Sequence, residues 1–185
     1  MTTVGHTITG LAIGSICMPE DAPFKRKVIQ LAVFAALANV PDFPFKYWGH
    51  DIYYFSHSLF VNLCLIFALF LVIRNYKSMW AWLGGGVRIG FGAAAWLSHL
   101  LLDSFYNHGK GVLISWPFPD FRLNLAMPWF QNTWGTTFMD KVRIGLIEAT
   151  WFGAILLTVV LLRRFGVFRG FAQAFNQKFT DKALD

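Results

Sequence analysis

Apolar and polar positions along this chain fall into blocks. Residues 6–18 form a first greasy run, and 28–40 form a second that ends at Pro41. Longer runs follow at 55–73, at about 83–104 and at about 144–162. A bilayer crossing needs about 20 apolar residues. The pattern therefore predicts an all-α integral membrane bundle of four to five transmembrane helices, with the first two runs short for a span. After the fifth run, Phe165, Phe168, Phe171, Phe175 and Phe179 recur at three- and four-residue steps beside Arg163, Arg164, Arg169 and Lys178. That spacing predicts an amphipathic helix lying along the membrane surface. Residues 1–164 thus read as a membrane-embedded domain and 165–185 as an amphipathic helix and tail. Strand alternation and internal repeats are absent from the pattern.

Composition supports this picture. Of 185 residues, 56% are hydrophobic and only 14% charged, against roughly a quarter charged in soluble domains. The start lacks the basic region and small-residue cleavage site of a signal peptide, so the first run is expected in the mature fold. Cys17 and Cys64 sit inside apolar runs and are expected to behave as small buried hydrophobes, without a disulfide framework.

The net charge of +6 is spread beside the apolar runs rather than along a stripe. It argues for topology signals and lipid headgroups over nucleic acid. With five crossings, eleven Lys and Arg fall on one side and five on the other. The positive-inside rule makes the first side cytoplasmic, with the N-terminus outside and the C-terminus inside. The chain is then expected in the inner membrane.

The orientation chosen by the basic residues also sorts the other polar groups. His6, Asp42, His57, His99, Asp103 and Glu148 all fall toward the outer ends of their runs. Ionisable groups inside spans are costly and by default mark a functional site, and His with carboxylate is the ligand set of zinc and similar divalent ions. In "WLSHLLLDSF", His99 and Asp103 are one helical turn apart, on one face. Simpler roles compete: a hydrogen-bonded His99–Asp103 pair, a turn at Asp42, a cap around Ser56, His57 and Ser58, a solvated His6. Glu148 is a candidate ligand or base, or a structural partner of Arg143 or Arg88. His50, Asp51 and His108 are loop residues on the same side, His108 within reach of a second metal. Arg122 and Lys110 suit an anionic headgroup, and Trp116 suits the interface.

"GHTITG", "VPDF", "FSHSL" and "WLSHLLLDSF…HGKGVLISWPF…FRL" resemble the YdjM-like family of membrane-bound metal-dependent hydrolases, over roughly residues 5–125. Pro44 stands where the family's second aspartate falls, and Ile52 where the first histidine of its His-Arg-Gly-x-Thr-His-Ser motif falls. The ligand pattern is in turn similar to zinc-dependent phospholipase C. The resemblance implies one or two Zn²⁺ ions, with Mn²⁺ as the alternative, on His6, Asp42, His57, His99 and Asp103. It implies hydrolysis, preferably of a phosphodiester such as a membrane lipid, with Asp51 or Glu148 as base and Arg122, Lys110 and Trp116 holding the substrate. The rival expectation is a non-catalytic metal-binding scaffold or a small transporter. Transport fits poorly with inner halves as apolar as "LIFALFLVI" and "AILLTVVLL".

Overall fold

The structure is a computed structural model that describes residues 2–20, 22–76, 86–105, 111–118, 121–125 and 137–168. Among these the protein is all-helical. Its helices are α1 (Thr3–Cys17), α2 (Phe24–Leu37), α3 (Tyr53–Ser56), α4 (Leu59–Asn75), α5 (Gly86–Asp103) and α6 (Phe138–Arg164), with 3-10 turns η1 (Val40–Asp42) and η2 (Gly49–Ile52). One antiparallel bridge joins Val112 and Leu123. Of the C-terminal surface helix expected over 165–185, residues 169–185 lie outside the described residues.

α1 sits at the centre and packs against α2, α5 and α6. Glycine makes the close approach to α2 possible. A Cβ on Gly10 would lie 2.5 Å from the Phe34 carbonyl oxygen and 2.9 Å from the Ala38 Cβ, and one on Gly14 would lie 2.9 Å from the Phe34 ring. The helix ends carry their own caps: the Ser58 hydroxyl accepts from Val61 N–H, and Thr137 with Asp140 forms a reciprocal capping box on α6.

α6, at 27 residues, spans about 40 Å and is the one described helix long and apolar enough to cross a membrane by itself. Leu146, Trp151, Ile155 and Leu157 on it are more than half exposed, as a lipid-facing surface requires. α1 and α4 are apolar but shorter, and α2 opens on Lys25, Arg26 and Lys27.

The third run departs from expectation. It is two helices, α3 and α4, broken at His57 and Ser58, because Ser58 takes an extended backbone and caps α4. The break turns His57 inward, where it is fully buried. Glu148 also sits deeper in its helix than the hydropathy pattern suggests, three turns in, since α6 begins at Phe138. Cys64, expected to be buried, is instead exposed on the face of α4 that points away from the bundle, and Cys17 is half-buried.

The helices alternate in direction, so the start of α1, the end of α2, the start of α4 and the end of α5 meet at one end of the bundle. Arg163 joins the opposite ends of α6 and α1, donating to the carbonyls of Ser15 and Met18 at 2.6 Å each.

Candidate metal centre

Four parts of the chain bring five polar groups to that first end. His6 lies in the opening turn of α1, Asp42 closes η1, His57 occupies the α3–α4 break, and His99 and Asp103 share the last turn of α5. All three imidazoles are fully buried. The Asp103 side chain is 4% exposed and that of Asp42 14%, which makes Asp42 the open edge.

The three Nε2 atoms converge on the two carboxylates. His6 Nε2 is 3.2 Å from Asp103 Oδ1, and His57 Nε2 is 3.2 Å from Asp103 Oδ2 and 3.3 Å from Asp42 Oδ1. His99 Nε2 is 3.5 Å from Asp103 Oδ2 and 3.6 Å from Asp42 Oδ2. Yet no Nε2 among the three makes a hydrogen bond to a described residue.

Backbone groups explain how the rings are aimed. His99 Nδ1 donates to the Ala38 carbonyl at 2.8 Å, one of the carbonyls that the end of α2 leaves unpaired. His57 Nδ1 lies 3.1 Å from the Tyr53 carbonyl and 2.8 Å from the Ser56 hydroxyl, which itself donates to the Gly49 carbonyl. Both rings are therefore held with the proton on Nδ1 and the Nε2 lone pair pointing into the cluster, the arrangement of a metal-ligating histidine.

Lone pairs facing carboxylate oxygens repel unless a proton or a cation lies between them. Protons fit poorly. Charge-assisted N–H···O bonds run about 2.7–2.9 Å, shorter than any contact here. The His6 and His99 rings also stack with centroids 3.6 Å apart, where two imidazolium charges would oppose each other. A divalent ion fits well. Ligand bonds of about 2.0–2.1 Å in a tetrahedron set ligands about 3.3 Å apart, and the five N···O separations bracket that value. The donor atoms of His6, Asp42 and His99, and of His57, His99 and Asp103, lie within 4.8 Å of one another. The residues present therefore suit zinc or a similar ion.

Tyr53 completes the cluster and was not singled out in the sequence. Its hydroxyl donates to Asp103 Oδ2 at 3.3 Å and its ring stacks on His57 at 3.8 Å. The four-residue step from Tyr53 to His57 was the available signal. Burial and the Asp103 and Asp42 carboxylates push its phenol well above the usual range, so it stays a donor.

Glu148 is also fully buried, but its carboxylate faces the amino end of α1. It accepts from Thr2 N–H at 2.9 Å, from Gly5 N–H at 3.0 Å and from the Thr2 hydroxyl, satisfying N–H groups that a helix start leaves open. Asp51 has its backbone in η2, with its side chain outside the described residues, as are His108 and Lys110. Arg122 is exposed and donates to the Gly111 carbonyl at 3.3 Å. Trp116 packs its ring on Phe55 at 5.1 Å and accepts from the Ser58 hydroxyl through its carbonyl. The 111–125 segment is stitched to this end of the bundle, with Leu59 N–H on the Ile114 carbonyl and Leu125 N–H on the Ser104 carbonyl.

No curated protein and no solved structure matches this chain. The model of one family, described as YdjM inner membrane protein, matches residues 1–173, and the chain belongs to that family.

Proposed function

We propose that this protein is a metal-dependent hydrolase whose centre, at the outer face of the inner membrane, cleaves a phosphodiester of a lipid or lipid headgroup. The observation that carries the metal is the convergence of three imidazole nitrogens on two carboxylates at tetrahedral-edge distances, with the His57 and His99 rings aimed by backbone carbonyls. Hydrolysis is supported by the sequence resemblance, and the outer face by the distribution of basic residues. In this reading the bundle crosses the membrane four to five times, the shorter helices aided by their flanking polar residues.

His6, Asp42, His57, His99 and Asp103 hold one or two ions through two overlapping triads, His6–Asp42–His99 and His57–His99–Asp103, and Tyr53 orients Asp103. When bound, a divalent ion of this type supplies Lewis acidity and a nucleophile at neutral pH. Asp42, at the open edge, marks where substrate enters, and the 111–125 segment with Arg122 and Trp116 borders that side. Glu148 holds α1, and with it His6, in place.

The near-complete burial of the donors favours one rival, a closed structural metal site. The deciding experiment pairs metal analysis with hydrolysis of fluorescent phospholipid in proteoliposomes, for wild type and for His99→Ala/Asp103→Ala. Stoichiometric zinc or manganese with turnover, both lost in the variant, supports the hydrolase. Metal without turnover supports the scaffold. Metal-free wild type after reconstitution overturns the site.

A further inference from the structure

At the other end of the bundle, α2, α4 and α5 leave a space between them. α4 is tied to α5 near its start, where Trp96 Nε1 donates to Asn62 Oδ1 at 2.6 Å. Below that contact the three helices enclose a cavity of about 240 Å³, walled by apolar side chains including Phe34, Leu37, Ile73 and Trp96. From Trp96 to Arg88 the slot runs about 12 Å along α5. Gly92 keeps its wall flat, since a Cβ there would stand 3.2 Å from Leu37 Cδ1.

Two polar side chains line this cavity, Gln30 and Arg88. Gln30 is 4% exposed, and neither its amide nitrogen nor its amide oxygen has a hydrogen-bond partner among the described residues. A buried amide left unpaired costs about 1–3 kcal/mol, so the position makes sense with an occupant that presents polar atoms there. The same end of the bundle carries Lys25, Arg26 and Lys27 at the start of α2 and Arg74 at the end of α4. An apolar slot ending at a buried amide and a guanidinium, within a basic rim, matches one acyl chain attached to an anionic phosphate head.

We propose that this cavity is a lipid site, separate from the metal centre, which holds one acyl chain of an anionic phospholipid. Gln30 meets the ester region and Arg88 the phosphate. The slot belongs to the membrane end opposite His99 and Asp103, so its occupant is a resident lipid and not the molecule at the metal.

Native mass spectrometry of the full-length protein in detergent tests this with three probes: dioleoyl phosphatidylglycerol, dioleoyl phosphatidylcholine and oleate. One phosphatidylglycerol should bind per chain at least tenfold more tightly than phosphatidylcholine or oleate. Arg88→Gln, Gln30→Leu and the cavity-filling Ala93→Leu should each weaken it at least tenfold with metal content unchanged. Equal binding of the two phospholipids, tighter binding of oleate, absence of retained lipid, or folded variants that bind like wild type would each overturn the site. The wild-type ranking of probes decides even if a variant fails to fold.

Discussion

The two ends of this bundle bury polar groups in opposite ways. At one end His6, His57 and His99 are sealed from solvent together with Asp103, and each ring has carboxylate oxygens within 3.6 Å. At the other end Gln30 is buried almost alone in an apolar wall, with its amide unpaired. The first arrangement is over-determined: backbone carbonyls aim the His57 and His99 rings, and removing any member leaves the others unbalanced. The second is under-determined, since no described residue pairs with its polar group. The two proposed ligands follow this difference: an ion held by the protein's own charges at one end, and at the other a molecule that brings its own polar atoms.

Substitutions should separate the ends by sign as well as size. The largest effect is expected from metal removal. Chelation should lower the thermal midpoint of the wild type, by the equivalent of about 4 kcal/mol where free metal had exceeded its dissociation constant a thousandfold. It should leave His99→Ala/Asp103→Ala unmoved, and an unchanged wild-type melt would erase the contrast. Next is Glu148→Ala, which strips the acceptor from three donors at the start of α1 and should cost about 3 kcal/mol in a chemical-denaturation series. Gly10→Val should cost about 2 kcal/mol by overpacking against Phe34 and Ala38, read in the same series. Tyr53→Phe removes one hydroxyl beside Asp103 and should weaken metal affinity about tenfold in a chelator competition, with little change in helix content by circular dichroism. The smallest effect has the opposite sign. Gln30→Leu should stabilise lipid-free protein by about 1 kcal/mol in a thermal melt, because it removes an unpaired amide instead of a partner. Destabilisation there would mean that Gln30 already has its partner.

Several features of the centre were legible in the chain. The four-residue step in "WLSHLLLDSF" places His99 and Asp103 on one helical face, and their side chains lie 3.5 Å apart. Hydropathy also located the helices to within a few residues, apart from the third run and the start of the fifth, where α6 begins six residues early at Phe138. In the third run, Ser58 capping α4 outweighed an apolar stretch that reads as continuous, because the hydroxyl competes for backbone N–H groups whatever the mean hydropathy. Glu148 illustrates a different limit. Its carboxylate and the start of α1 are nearly the whole chain apart, and no spacing rule connects residues 2 and 148.

By itself, the sequence determined the membrane character, the helical class, the family and the kinds of side chain available for an ion, since all of these follow from composition and local period. Tertiary structure decided which of those side chains share a centre, that Tyr53 joins them and Glu148 turns to α1, and that Gln30 stands alone in a slot between α2, α4 and α5. These depend on how close two helix backbones approach, and here Gly10 and Gly14 against Phe34 set that distance. Such an approach is a property of pairs of elements and is written in no single stretch of chain.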